Sequence, residues 1–239
     1  MRYLKMMTAT VVVFIWPFIV LGADPVKPKP PTPTKAPAVA YKPPLRGAPA
    51  GRVGGGTRGA TERESFSLQA LAPDHVGYTT QEQPCLYWYI SKPTTYAVEL
   101  TIAAKKAVQP LIEKVIKGPE QGGIQSICLA DLGVKLSPST QYKWFVTLVT
   151  DVEHRSKDIL AGGIIEYALP NTGLQTKLKT ADSASQYAIY AEEGQWYDAI
   201  GALSQSIAAA PGNTDLHQQR AALLSQVGLS DVAAAIEKK

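Results

Sequence analysis

Seven short segments in which apolar and polar residues alternate are the feature that most restricts the fold of this chain. In the clearest one, Tyr96, Val98, Leu100 and Ile102 fall on one face, as in a strand with one buried side. Proline, glycine or charged residues separate the segments, as turns separate strands. The predicted strands are 65–71, 84–91, 95–103, 110–117, 123–130, 141–150 and 159–168. This pattern indicates an antiparallel β-sandwich.

The stretch LSPSTQYKWFV, from Leu136 to Val146, contains the sharpest local signal. A buried leucine, a proline turn and a tyrosine that enters a strand resemble the corner between strands E and F of immunoglobulin-like and fibronectin type III domains. The resemblance implies that Tyr142 hydrogen-bonds back across the turn. The predicted fold is therefore mainly β followed by α: a seven-stranded immunoglobulin/fibronectin-III-like sandwich over 62–170, then a small C-terminal helical, repeat-like unit.

Two cysteines, Cys85 and Cys128, fall in the predicted strands B and E, which are neighbours in one sheet of such a sandwich. Alternation places Leu86, Trp88 and Ile90 on the inner side, so both cysteines point outward. One prediction is a cross-strand disulfide on the outer face, although directly opposite positions in a flat ladder strain the bond geometry. The alternative is a pair of inert thiols.

Residues 180–239 change to an alanine-rich pattern with helical periodicity. The stretch EEGQWYDAIGALSQSIAAAPGN resembles the inter-helix turn, second helix and closing proline of a tetratricopeptide repeat. The resemblance implies that Gly194 forms the turn and that Trp196 packs the helix pair. Several small or apolar residues recur at an offset of 34, namely Gly194 and Gly228, Ala199 and Ala233, Tyr190 and Leu224, and Tyr187 and Ala221. Fewer than two full repeats predict a cap or docking unit.

The amino-terminal region divides into a signal and a linker. Residues 1–23 carry Arg2 and Lys5, an apolar run and small residues, which is the pattern of a secretory signal cleaved after Gly22 or Ala23. The alternative is an uncleaved anchor, but the apolar run is short and contains a proline. Residues 24–61 hold nine of the 18 prolines and are a predicted spacer. After cleavage no integral membrane span is expected, and the protein is predicted to be periplasmic or secreted.

Charge is distributed unevenly along the chain. Residues 24–61 contain seven Lys or Arg against one Asp, whereas residues 62–239 contain 15 basic against 19 acidic residues. Because the basic character belongs to the linker, the folded body has no footprint for nucleic acid.

The glycine-rich stretch GRVGGGTRG, residues 51–59, superficially resembles a phosphate loop. A phosphate loop requires a lysine and a helix after a strand, and neither element is expected here. We therefore expect a segment that lies along the surface of the domain and in which Arg46, Arg52 and Arg58 contact a partner.

No catalytic or metal-binding pattern is present in the sequence. The three histidines have no paired spacing, no CxxC motif occurs, and no nucleophile elbow is found. The sequence therefore predicts that the protein is not an enzyme and uses no cofactor or metal.

Aromatic and charged residues suggest a recognition face. Half of the aromatic residues near the turn between the second and third strands and on the sixth strand must build the core, and the others, among them Tyr87 and Tyr89, would decorate one face of a sheet. Arg155 and Asp158, in a charged stretch before the last strand, would form a polar rim beside this face. Trp196 of the helical unit completes the predicted partner contacts.

Four stretches together resemble a family of exported bacterial proteins, best represented in cyanobacteria and proteobacteria, that is defined only as a domain of unknown function. They are YKPPLRGAPAGRVGGGTRG, VGYTTQEQPCLYWYIS, QYKWFVTLVTDVEHRSKDILAGGIIEY and AEEGQWYDAIGAL. The resemblance implies a periplasmic or secreted protein and carries over no catalytic residue. The leading hypothesis is a cell-envelope adaptor that binds an envelope or secreted protein. A carbohydrate-binding module for a cell-wall or surface glycan is the alternative, and an enzyme of unfamiliar type is third.

Overall fold

The computed structural model describes residues 38–44, 51–54, 57–58 and 66–237, and all of them belong to one compact unit. The predicted signal peptide, most of the predicted linker and Arg46 lie outside the described residues.

Two β-sheets face each other, and helices follow them in the chain. Within the described residues one sheet has the order β1-β10-β9-β6-β7, with β4 added to β10 in parallel, and the other has the order β2-β3-β5-β8. All other pairings are antiparallel. The strands are β1 Val53–Gly54, β2 Thr57–Arg58, β3 Phe66–Ala70, β4 Gly77–Thr79, β5 Cys85–Ile90, β6 Ala97–Ala104, β7 Ile112–Ile116, β8 Gly123–Cys128, β9 Gln141–Val149 and β10 Ile159–Tyr167.

The prediction of a mainly β fold followed by helices is confirmed. Each of the seven predicted strands is present, and its ends agree with the prediction within two residues. The short strands β1, β2 and β4 were not expected, because two or three residues cannot show an alternating pattern. Inward side chains such as Leu86, Leu100 and Trp144 are fully buried between the sheets.

The corner before β9 has the predicted hydrogen bond. The hydroxyl of Tyr142 accepts a hydrogen bond from the backbone N–H of Ser137 at 3.1 Å, and Leu136 beside it is buried. This bond fixes the direction in which the chain enters β9.

Cys85 and Cys128 are directly opposite each other in the β5–β8 pair, and a disulfide joins them. The bond closes a sequence separation of 43 residues and so ties the two strands together at one end of their ladder.

Five α-helices follow the sheets within the described part of the chain. They are α1 Thr172–Thr180, α2 Gln186–Glu192, α3 Trp196–Ala209, α4 Thr214–Gln226 and α5 Ser230–Glu237. The first was not predicted, because only Leu174 of this helix is buried and no apolar stripe marks it. Gly194 and Gly228 precede α3 and α5 with φ of 75° and 74°, a left-handed conformation that glycine adopts readily.

The helices share a continuous hydrophobic core with the sheets, a question that the sequence left open. The outer face of β5 lies under α3 and α4, because the Tyr87 hydroxyl is near Ser204 of α3 and Arg220 of α4. Tyr87 and Tyr89 are therefore only 7% and 8% exposed. Burial raises the pKa of Tyr87.

Tyr197 of α3 enters the β core. Its hydroxyl accepts a hydrogen bond from Trp144 Nε1 at 2.8 Å and donates one to the carbonyl of Ile164 at 3.1 Å. A Cβ at Gly77 would lie 2.6 Å from the Tyr197 ring, so glycine leaves the space that the ring occupies. Full burial raises the pKa of Tyr197, and the hydroxyl therefore keeps its proton.

Asp198, the next residue, is a buried carboxylate with four hydrogen bonds. It accepts from the Thr79 hydroxyl at 2.8 Å, the Thr80 backbone N–H at 2.6 Å, the Thr80 hydroxyl at 2.8 Å and the Gln81 amide at 3.2 Å. Burial raises the pKa of Asp198, and these hydrogen bonds oppose that shift. The cluster joins α3 to the end of β4.

Within the described residues, no helix combines the length and the apolar character that a membrane crossing requires.

We predict that Tyr197→Phe lowers the free energy of unfolding by about 1–3 kcal/mol, because it leaves the buried Trp144 N–H and Ile164 carbonyl without their partner. The ring is kept, so no cavity forms. Urea denaturation followed by tryptophan fluorescence measures the change. The matched control is Tyr96→Phe, at a side chain that is 38% exposed, and an equal loss in both variants would contradict the assigned role.

We predict that Asp198→Asn lowers the free energy of unfolding by about 1–3 kcal/mol, because the new NH₂ group meets donors where the carboxylate accepted hydrogen bonds. Asp231→Asn, an exposed change in the first turn of α5, should cost about 0.5 kcal/mol or less. Thermal and urea unfolding of both variants measure this difference. If Asp198→Asn lowers the free energy of unfolding no more than Asp231→Asn does, the prediction is wrong.

Candidate polypeptide-binding site

An extended segment, residues 38–44, lies against the helices and is held there through its main chain. We call these residues the amino-terminal segment. The backbone N–H of Val39 donates to Gln219 Oε1 at 2.6 Å. The N–H of Tyr41 donates to Gln226 Oε1 at 2.8 Å, and Gln226 Nε2 donates back to the carbonyl of Val39 at 2.8 Å. The carboxamide of Gln226 therefore holds the segment as a neighbouring strand would.

A second helix, α2, contacts the segment at its other end. The N–H of Lys42 donates to the carbonyl of Ala191, at the end of α2, at 3.0 Å. The side chain of Lys42 also forms an ion pair with Glu192 at 2.7 Å, but both groups are exposed, and such pairs contribute little. The main-chain contacts thus span α2 and α4.

Two side chains of the segment are buried. Val39 and Tyr41 are each 8% exposed, and the alternate residue Ala40 is exposed, as expected for an extended chain with one face on a surface. The Tyr41 ring meets Trp196 edge-on, with centroids 5.0 Å apart, and stacks on His75 at 5.8 Å. We call the receiving residues, namely His75, Ala191, Trp196, Gln219 and Gln226, the cradle.

The Tyr41 hydroxyl is also hydrogen-bonded inside the cradle. It lies 2.9 Å from His75 Nε2, and His75 Nδ1 lies 3.2 Å from the exposed carboxylate of Asp74. Burial, with a smaller contribution from Asp74, raises the pKa of Tyr41. The hydroxyl therefore stays protonated at neutral pH.

Arg52 connects the glycine-rich stretch to both parts of the fold. Its guanidinium donates to the carbonyls of Ala72 and Val227 at 3.0 Å and of Gly228 at 3.2 Å. Burial lowers its pKa. The sequence analysis predicted that Arg52 contacts a partner. In the structure its guanidinium donates hydrogen bonds to backbone carbonyls of the same chain.

The other proposed partner contacts are dispersed. Tyr87 is buried under the helices, Tyr89 is 8% exposed, and Trp196 is fully buried with its N–H donating to the carbonyl of Leu71 at 2.9 Å. Arg58 lies in β2, where only the backbone is described, and Arg46 lies outside the described residues. The physical reason for the burial is that α3 and α4 pack on the sheet face that the sequence suggested was open.

Arg155 and Asp158, the residues of the predicted polar rim, contact each other at the turn before β10. Arg155 binds Glu99 through two nitrogens at 3.1 and 2.5 Å, and its Nε donates to Asp158 at 2.6 Å. These bonds raise the pKa of Arg155. The guanidinium is exposed, so these ion pairs contribute little to stability.

An aromatic cleft of about 710 Å³ opens at the end of the sheets where β5 turns into β6. Tyr96 is 38% exposed there and packs edge-on against Phe66, with centroids 6.0 Å apart. The ammonium group of Lys92 lies 4.5 Å from the centre of the Phe66 ring. Two threonines, Lys117 and Glu120 are also among the lining residues, so the cleft offers apolar and polar groups together.

The sequence did not identify the carboxamides of the cradle. Gln219 and Gln226 are seven residues apart, so they lie on one face of a helix, and this spacing is the signal that was available. The described residues contain no cluster of side chains suited to hold a metal ion.

The chain matches, over residues 53–236, a family described as Domain of Unknown Function (DUF928). The protein belongs to this family. No curated protein matches the chain. One similar solved structure is a multi-domain immunophilin from Arabidopsis thaliana, with 10% identity over 65% of this chain and 93% of that chain and a TM-score of 0.16. A score this low carries no argument about fold or function.

Proposed function

We propose that this protein is an exported, non-enzymatic adaptor of the cell envelope that binds a protein partner. The observation that carries the proposal is the main-chain recognition of residues 38–44 by Gln219 and Gln226. Carboxamides that pair with a peptide backbone, beside pockets for alternate side chains, are the chemistry of receptors for extended polypeptides. The charged amino end and apolar run of residues 1–23 support export.

The β-body is, in our proposal, an immunoglobulin/fibronectin-III-like sandwich. The sheet β3-β5-β8 corresponds to strands A-B-E and the sheet β7-β6-β9-β10 corresponds to C′-C-F-G of that fold. The hydrogen bond of Tyr142 at the corner supports the assignment. This body would serve as the rigid support that presents the helices.

The helices α2 to α5 form, in our proposal, a tetratricopeptide-like unit. Two helix pairs, α2–α3 and α4–α5, each have a left-handed glycine before the second helix, at Gly194 and Gly228. The small residues Ala199 and Ala233, again at an offset of 34, are both buried where helices approach closely. Within this unit the main-chain contacts of the cradle come from α2 and α4, the first helices of the two pairs, and Trp196 begins α3.

We predict that the full chain carrying Tyr41→Ala binds a fluorescent peptide with the sequence of residues 36–44, APAVAYKPP. The variant weakens the attached segment, so the peptide can compete for the cradle. Wild-type protein should bind it at least about ten-fold more weakly, because its own segment is present at high effective concentration. Fluorescence anisotropy measures both affinities.

The matched control peptide has alanine in place of the tyrosine and should bind at least about ten-fold more weakly to the same variant. Circular dichroism of Tyr41→Ala verifies that the protein is folded. Equal, weak binding of both peptides to a folded variant would rule out recognition of polypeptides by the cradle.

A glycan ligand is the second candidate function, and the cleft at Tyr96 favours it. A half-exposed aromatic ring beside hydroxyl and charged groups is the composition expected of a small-ligand site. We predict that calorimetric titration with cell-wall glycan fragments gives binding that Tyr96→Ala abolishes and Leu111→Ala, an exposed change at the other end of β7, preserves. Absence of binding by wild-type protein would remove this candidate.

A further inference from the structure

The cradle described above is filled by the chain's own segment. Every contact that holds residues 38–44 there is non-covalent: three backbone N–H groups have acceptors on the helices, and two side chains are buried. The six residues 45–50 connect the segment to Gly51, whose own N–H donates to the carbonyl of Asp74. Nothing in the contacts themselves requires that segment and cradle belong to one molecule.

The amino-terminal segment of a second copy would form the same hydrogen bonds and buried contacts in the cradle. It carries the same valine and tyrosine, two residues apart, and the same hydroxyl for His75. Exchange of an identical element breaks and re-forms the same bonds, so its cost is low. The equilibrium then depends on protein concentration and on the connection through residues 45–50.

Charge also favours the same occupant. Residues 24–61, which include the segment, carry seven basic residues and one acidic residue, whereas residues 62–239 carry 19 acidic and 15 basic residues. The basic amino-terminal region of one copy is therefore complementary in charge to the acidic body of another copy, as it is to its own body. The ion pair between Lys42 and Glu192 is a local instance of this complementarity.

We propose that residues 38–44 exchange between copies, so that the cradle of one molecule holds Val39 and Tyr41 of another. This inference rests on the proposed polypeptide-binding function and names its partner as a second copy of the chain. Reciprocal exchange closes into a two-fold dimer, and one-way exchange links molecules into a chain.

The test combines two full-length variants with complementary defects. Tyr41→Ala damages the segment and leaves the cradle intact, and Gln226→Ala damages the cradle and leaves the segment intact. Each variant carries a different fluorophore, and energy transfer and light scattering report association. The mixture should associate at least about ten-fold more tightly than either variant with itself, because only the mixture contains an intact segment and an intact cradle on different molecules.

The control mixes Tyr41→Ala with the double variant Tyr41→Ala/Gln226→Ala, which supplies no intact segment and should not associate. Val39→Ala and Gln219→Ala form a second complementary pair if either first variant fails to fold by circular dichroism. If APAVAYKPP binds Tyr41→Ala but the folded variants associate no better together than alone, exchange between copies is refuted and the polypeptide-binding function stands. If neither the peptide nor the second variant binds, both proposals fail.

Discussion

Three consecutive side chains at the start of α3 attach the helices to the sheets, and the rest of the structure depends on this junction. Trp196 donates to a backbone carbonyl, Tyr197 accepts from Trp144 in the β core, and Asp198 accepts four hydrogen bonds at the end of β4. All three side chains are buried, so a lost partner leaves a polar group without water. The junction therefore fixes both the rotation and the axial position of α3.

The position of α3 explains why the aromatic residues of β5 do not form an open face. Alternation along β5 was enough to predict the strand and its inner side, because Leu86, Trp88 and Ile90 are apolar in a period of two. It could not reveal that Tyr87 and Tyr89 on the other side are covered as well. That information lies in contacts between distant residues, such as Trp196 with Leu71, which are 125 positions apart.

The cradle could not be predicted from the sequence for the same reason, because the residues that form it are far apart in the chain. The spacing of Gln219 and Gln226 predicts that their carboxamides share a helix face. The amino-terminal segment that they bind, however, lies in a proline-rich region whose composition predicts a linker. Val39 and Gln219 are 180 positions apart, and no local pattern connects them. The Tyr142 corner, by contrast, was predictable from the resemblance of a short stretch, because Tyr142 and its donor Ser137 are only five residues apart.

In the proposed polypeptide-binding function, the order of residues in the segment defines what the cradle would select. Hydrogen bonds to the main chain do not depend on sequence, so selectivity comes from the two pockets that hold Val39 and Tyr41. Pro43 and Pro44 follow Lys42 and have no N–H, so pairing with the helices cannot continue past the contact with Ala191. Proline also keeps the preceding residue extended. A ligand that entered the proposed site in this register would therefore place an apolar residue where Val39 lies and a tyrosine two positions later, as the chain's own amino-terminal segment does.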